Sequence, residues 1–198
     1  MLYQACRVEV LHRMRNFNAS NAYKQHLLDI ATWLTGDSST FGLFICGGVG
    51  NGKTTILKAL KNLTGLLRSN EPSDTSIHKN RGFIITSAKE LVKLAKAYNN
   101  PTKDSEEQYR KYKEALRVEV LAIDDLGTEP NESIYYGDYV TAAIDMLSHR
   151  YEEQLCTIVS SNLAAAEISK YYDERIADRF REMMQIINFY DEPSFRKL

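Results

Sequence analysis

The chain has 198 residues, of which 43% belong to the AVILMFWYC set and 26% are charged. These values fit one globular domain that buries its own core, and they exclude disordered, collagen-like and coiled-coil classes. Lys and Arg total 25 against 26 Asp and Glu, a net charge of -1, so a chain-wide basic field that holds nucleic acid by charge alone is excluded. Nucleic-acid binding would have to rest on a local patch or on several subunits together.

Residues 1–34 read as helical with a break near Asn16–Asn21, and Ala22–Leu34 carries Leu27, Leu28, Ile30, Ala31 and Leu34 close to helical spacing. Arg7, Glu9, Arg13 and Arg15 exclude a signal peptide. No apolar run approaches the roughly 18 residues that span a bilayer. The expectation is a soluble, cytoplasmic protein without membrane contact. After a loop at Gly36–Ser39, Phe41–Cys46 is a buried strand ending in glycines, and Lys53–Leu67 a helix. Arg68–Arg81 is polar, holds Pro72, Ser73, Asp74 and Asn80, and predicts a long exposed loop.

Gly82–Thr86 is the second strand, Ser87–Tyr98 the next helix and Asn99–Lys103 a loop. Ser105-Glu106-Glu107-Gln108 reads as a capping box opening a charged helix through Leu116. Val118–Ile123 is the third strand and Gly127–Asp138 a polar loop. Tyr139–Tyr151 is a helix with Val140, Ala143, Ile144, Leu147 and Tyr151 on one face. Cys156–Ser160 is the fourth strand, Ala164–Tyr172 and Asp173–Met184 are short helices, and Ile186–Tyr190 is the last strand. Strands alternating with helices imply parallel pairing in a three-layer α/β fold. Strands that are apolar throughout suit a sheet covered on both faces. Cys6, Cys46 and Cys156 read as small buried hydrophobes in a reducing compartment. His12, His26, His78 and His149 are scattered without metal-ligand spacing, so no zinc site is expected.

Gly47-Gly48-Val49-Gly50-Asn51-Gly52-Lys53-Thr54 fits G-x-x-x-x-G-K-[ST], with a strand before it and an amphipathic helix after it. Glycines let successive N–H groups turn inward as an anion nest at a helix N-terminus. Lys53 reaches the β- and γ-phosphates of a nucleotide, Thr54 offers a hydroxyl to Mg²⁺, and Thr55 approaches the α-phosphate. Val120-Leu121-Ala122-Ile123-Asp124-Asp125 is an apolar strand ending in two carboxylates, the Walker B pattern. Asp124 is the expected Mg²⁺ partner, and Asp125 the residue that orients and activates the attacking water. Asp reaches less far than the Glu common in the wider class, so hydrolysis is expected to be slow or to need an ordered intervening water.

Thr157-Ile158-Val159-Ser160-Ser161-Asn162 ends a β-branched strand in an amide placed to hold the lytic water or touch the γ-phosphate. Strand ends also carry Asn simply as a turn residue. Arg175 and Arg179 sit four apart on one helical face. Pairing with Glu174 or Asp178 is one reading; an arginine supplied across a subunit interface to the transition state is the other.

Taken together, Gly47–Thr55, Ile84–Leu91, Ile123-Asp124-Asp125-Leu126-Gly127, Ser160-Ser161-Asn162, Glu174–Arg179 and Pro193-Ser194-Phe195-Arg196 resemble the DnaC/IstB group of AAA+ ATPases, from about Asn16 to the C-terminus. The resemblance implies an ASCE-type P-loop NTPase with a five-stranded parallel sheet of order 5-1-4-3-2. It implies Asn162 as sensor 1, Arg179 as arginine finger with Arg175 the alternative, and Arg196 in the sensor 2 part. ATP with Mg²⁺, an ATP-dependent homo-oligomer, single-stranded DNA and the replicative hexameric helicase follow as cofactors and partners. The expectation is one AAA+ domain over residues 1–198, with residues 1–35 a helical lead-in and no separate helicase-binding domain.

Other functions stay open on the sequence. They are a transposition helper sharing nearly all the motifs, a nucleotide-gated DNA scaffold that hydrolyses little, and, more remotely, a small-molecule P-loop kinase. Tyr98, Tyr135, Tyr136 and Tyr139 are candidates for base stacking or plain loop and core aromatics. Arg110, Lys111 and Lys113 are candidates for phosphate contacts or, with Glu106, Glu107 and Glu114 interleaved, a solvated face.

Overall fold

The structure is a computed structural model. It describes residues 1–36, 38–69, 83–127 and 133–196, without the side chains of 68–69 and 133–141. Five strands, β1 (Gly42–Cys46), β2 (Ile84–Ser87), β3 (Val120–Leu126), β4 (Cys156–Ser161) and β5 (Met184–Asn188), form one sheet of order β2-β3-β4-β1-β5. Every adjacent pair is parallel. Read from β5, this is the order 5-1-4-3-2. The described helices are α1 (Leu2–Leu11), α2 (Asn21–Thr35), α3 (Lys53–Ser69), α4 (Ala88–Asn99), α5 (Glu106–Arg117), α6 (Ser133–Glu152), α7 (Ile168–Tyr171) and α8 (Glu174–Met183).

The side-chain alternation of a strand builds the three layers. In β1, Leu43 and Ile45 join a core with Tyr23, Leu27 and Ile30 of α2 and Ile56, Leu57 and Leu60 of α3. Phe44 and Cys46 point the other way, into a core with Leu91 of α4, Tyr112 of α5, Met146 of α6 and Phe180 of α8. β3 and β4 split the same way, Ala122 and Ile158 to the first core, Leu121, Ile123 and Val159 to the second. β1 is therefore buried along its whole length, as an apolar five-residue run demands.

Several boundaries differ from the sequence reading. α3 runs on to Ser69, and the remainder of the expected 68–81 loop lies outside the described residues. α6 starts at Ser133, so Gly137 and Asp138, residues that read as loop formers, lie inside a helix. The side chains of Tyr135, Tyr136 and Tyr139 lie outside the described set. β5 starts at Met184, where the backbone turns extended (φ -106, ψ 127), two residues before the expected start. Ser105 does not cap α5 forward; its Oγ accepts from the Thr102 N–H at 2.8 Å and closes a short 3-10 turn. Tyr98 stacks on Tyr109 at 5.3 Å and tilts against Tyr112 at 4.8 Å, packing α4 on α5. Lys111 pairs with Glu107 at 2.7 Å. The three cysteines are free, Cys6 and Cys46 buried and Cys156 partly so.

One buried cation organises the sheet edge away from the strand C-termini. Arg150 of α6 is wholly buried. Its Nε donates to Thr157 Oγ1 at 2.8 Å, Nη1 to the carbonyls of Ala115 and Val118 at 2.9 and 3.0 Å, and Nη2 to the carbonyls of Cys156 and Glu119 at 2.7 and 3.4 Å. Among the described residues no carboxylate pairs with it, and burial pushes its pKa down to about 10. Its charge is carried by oxygens alone, which fixes α5, β3, α6 and β4 against one another. Truncation leaves those carbonyls without donors in an apolar setting, at a cost of about 3 kcal/mol or more. Arg150→Ala is expected to lower the unfolding free energy extrapolated from a urea titration by that amount, and Arg150→Lys by less.

Candidate functional site

In a parallel sheet every strand ends on the same edge, and here β1, β3 and β4 deliver their polar residues to it. Gly47 leaves β1 at φ +154, and a Cβ there would lie 2.5 Å from Asn51 Nδ2 and 2.7 Å from Phe189 Cβ; only glycine fits. Its N–H donates to the Ser161 carbonyl of β4 at 3.2 Å. Gly50, at φ +85, passes under the C-terminal segment, with Ser194 Oγ 2.4 Å from where a Cβ would stand. Asn51 is buried and donates to the Phe189 carbonyl at 2.9 Å. Gly48 faces open space and Val49 is exposed.

Lys53 opens α3 and is only 5% exposed. Its Nζ lies 2.7 Å from the Gly47 carbonyl, 2.8 Å from that of Gly48, 3.1 Å from Asn51 Oδ1 and 2.9 Å from Asn162 Oδ1. Burial pulls its pKa down, while Asp125, Cys46 and Asp124 pull it back up. Next to it, Thr54 Oγ1 donates to Asp124 Oδ1 at 3.1 Å, and Ser160 Oγ donates to the same oxygen at 2.5 Å. Ser160 Oγ in turn accepts from the Asp125 N–H at 2.9 Å. One serine of β4 thus holds both acidic residues of β3 in place.

Asp125 has φ +58, a left-handed conformation that Asp and Asn tolerate better than longer side chains. Its carboxyl sits above the usual carboxylate pKa because of desolvation first and the neighbouring Asp124 charge second, with Lys53 and Arg196 opposing.

These groups line a cleft of about 1130 Å³, closed on one side by Arg13, Met14, Arg15, Asn16 and Asn18 of the α1–α2 connection and by Phe195 and Arg196. The site residues read from sequence that it gathers are Val49, Gly50, Asn51, Gly52, Lys53, Thr54, Thr55, Asp124, Asp125, Asn162 and Arg196. Arg175 and Arg179 do not line it. Arg179 is 12% exposed, lies 2.9 Å from Glu152 Oε1, and covers the Tyr151 ring at 5.1 Å. Arg175, one turn earlier on α8, is exposed.

Sequence reasoning missed Arg13, whose Nη1 donates to Thr55 Oγ1 at 3.2 Å while Nη2 pairs with Glu9 at 3.3 Å. It also missed Phe195, which packs edge-on against Tyr23 at 5.6 Å, and Ser160. These contacts span dozens of residues, and although Ser160 and Phe195 stand inside motif segments, nothing local to them names their partners. The one available signal was that Ser160 stands two residues before Asn162 on the same strand face.

A carboxyl whose pKa is raised on folding binds its proton more tightly in the folded state. Ionising Asp125 therefore weakens the fold as pH rises from the unfolded value of about 3.9 through the higher folded one, and the loss is complete once pH lies above the folded value. Asp125→Asn removes that charge and keeps a residue suited to positive φ. The variant is expected to melt at a higher temperature than wild type at pH 7, with the gap closing as pH falls to about 3.

No protein-family model matches the chain, and no curated protein matches it either. Solved structures do. The DnaC helicase loader superposes with a TM-score of 0.63 at 19% identity, covering 87% of this chain and 93% of that one. DnaI superposes at 0.57 and 20% identity, covering 87% of each chain. AMPPCP-bound DnaA from Aquifex aeolicus superposes at 0.58 and 18% identity, covering 89% of this chain and 50% of that one. The chain has the fold seen in DnaC, DnaI and DnaA.

Proposed function

We propose that this chain binds ATP with Mg²⁺ in the cleft, hydrolyses it slowly, and acts in DNA replication by loading the replicative hexameric helicase onto single-stranded DNA. The observation that carries the ATPase reading is the convergence of Lys53, Thr54, Asp124 and Asn162 at one sheet edge, joined by direct hydrogen bonds. The donor set fits the group. Loop N–H groups and a buried ammonium suit phosphate oxygens, and a hydroxyl beside a carboxylate suits a hard cation. The loader reading is supported by the likeness to structures described as the DnaC helicase loader and DnaI. Contact with single-stranded DNA is supported by the likeness to DnaA bound to AMPPCP and single-stranded DNA.

The nucleotide supplies the transferable phosphoryl group, and the metal neutralises its oxygens. Lys53 exchanges the Gly47 and Gly48 carbonyls for phosphate oxygens and keeps Asn162 alongside. Gly48, Val49, Gly50, Asn51 and Gly52 wrap the phosphates with backbone N–H groups, Gly47 makes the turn that leads into them, and Thr55 lies by the α-phosphate. Thr54 and Asp124 hold the metal. Asp125 takes the proton of the attacking water, and Asn162 orients that water. Arg196 meets the phosphates from the C-terminal segment.

Arg179, or Arg175 beside it, completes the site of a neighbouring subunit. Arg179 can serve only by leaving Glu152 and Tyr151, which couples hydrolysis to the assembled, ATP-bound homo-oligomer. A chain of net charge -1 then binds DNA weakly alone and more tightly as an assembly.

Lys53→Ala is expected to weaken ATP binding at least about tenfold in a filter or calorimetric assay, the effect of losing charged hydrogen bonds. Normal affinity would refute the phosphate-loop role. Arg179→Ala is expected to bind ATP and lose turnover. Mixing it with Lys53→Ala subunits, which bind little ATP but offer an intact Arg179, restores part of the turnover if the arginine acts across subunits. Absence of restoration overturns that role. ATP-dependent co-purification with the replicative helicase tests the loader reading, and equal recovery with and without ATP counts against it.

A further inference from the structure

The sequence offered no metal spacing for any histidine, but the fold brings His26 of α2 next to Asp191 and Glu192 in the segment after β5. Their ligand atoms all lie within 4.8 Å of one another. We propose that His26, Asp191 and Glu192 bind a divalent transition-metal ion of the zinc class, which staples α2 to the C-terminal segment that carries Phe195 and Arg196.

Glu192 is 6% exposed, its Oε1 accepts from Ser20 Oγ at 2.5 Å, and its Oε2 is buried without a hydrogen-bond partner among the described residues. Buried polar atoms almost always have partners, and a carboxylate oxygen most of all. A hydrogen-bond contact between His26 Nε2 and Asp191 Oδ1 at 2.9 Å explains two of the three groups. It leaves Glu192 Oε2 unexplained. A cation shared by the three side chains accounts for all of them.

Accessibility favours entry of an ion. The Asp191 side chain is 54% exposed and that of His26 14%, so the cluster runs from solvent to interior. Ligands about 2.1 Å from a tetrahedral ion stand roughly 3.4 Å apart, so the 2.9 Å His26–Asp191 contact opens slightly and spacings of up to 4.8 Å close, shifts on the scale of side-chain rotation. One imidazole nitrogen and two carboxylate oxygens suit Zn²⁺, Co²⁺ or Mn²⁺; Mg²⁺ and Ca²⁺ prefer oxygen alone. Three protein ligands leave a fourth position to water.

The surroundings orient the ligands as outer-shell groups do. Ser20 Oγ, besides donating to Glu192, accepts the Tyr23 N–H and so caps α2. The His26 ring lies 4.4 Å from the Phe189 ring. Three residues beyond Glu192, the Phe195 N–H donates to the Gly50 carbonyl at 3.0 Å. A metal at Glu192 therefore fixes the chain where it meets the phosphate loop, independently of which nucleotide the cleft takes.

The test is calorimetric titration of the nucleotide-free, chelator-treated full chain with Zn²⁺. One ion per chain is expected, with affinity falling at least about tenfold in His26→Gln and in Glu192→Gln, and unchanged in Asp124→Asn. Zn²⁺ is also expected to raise the melting temperature of wild type and not of the two ligand variants, each checked for fold by circular dichroism. Co²⁺ loaded in its place is expected to show d–d bands of nitrogen and oxygen ligation. Absence of binding, equal affinity in the variants, loss of binding in Asp124→Asn, or a thiolate charge-transfer band each overturns the site.

Discussion

A single ammonium group sets the geometry of this molecule. Lys53 is all but removed from water, and a buried cation must find oxygens. The oxygens within reach come from the turn after β1, from Asn51 and from Asn162 at the end of β4. They can meet only if β1 and β4 are neighbours running the same way, as their register Cys46–Ser161 makes them. The parallel sheet in turn needs helices on both faces, and the alternating split of Leu43 and Ile45 from Phe44 and Cys46 provides for that. The fold and the cleft are thus two results of the same requirement.

The flanks of the chain are bound into that arrangement through Tyr23. Its ring is buried and meets Phe17, Phe189 and Phe195 edge-on at 6.0, 5.7 and 5.6 Å, the geometry that aromatic quadrupoles favour. Burial drives its hydroxyl pKa far above the ordinary value, so it stays neutral. A Cβ on Gly52 would stand 3.2 Å from that hydroxyl. The α1–α2 connection, the phosphate loop and the segment after β5 therefore share one aromatic hub, and a shift in any of them is felt by the others.

How much of this was readable in the sequence depended on the range of the interactions. The strand, glycine loop and helix around Lys53 were legible because backbone conformation, spacing and chemistry coincide within eight residues. The acidic end of β3 and the amide end of β4 were legible for the same reason, and the resemblance supplied the strand order. Boundaries failed where local signals conflict. Gly137 reads as a breaker yet lies in α6, and Met184 reads as helix yet begins β5. Arg13 on Thr55 and His26 beside Asp191 and Glu192 were invisible, because partners 42 and 165 residues apart leave no periodic trace. The two α8 arginines were seen as a pair, but the sequence did not show that Glu152 and Tyr151 hold one of them.

Arg150 bears on how the chain reaches this state. Its guanidinium draws on the end of α5, the entry to β3, and the first residues of β4 at once. No subset of those segments can satisfy it, and an intermediate that packs α6 early must either leave it in water or bury it short of acceptors. A compact but misregistered sheet is penalised most, since a one-residue slip of β3 or β4 would withdraw carbonyls from the fork. The residue thus acts as a checkpoint on assembly, closing only when the sheet end opposite the cleft is complete and making the approach to the native state more cooperative.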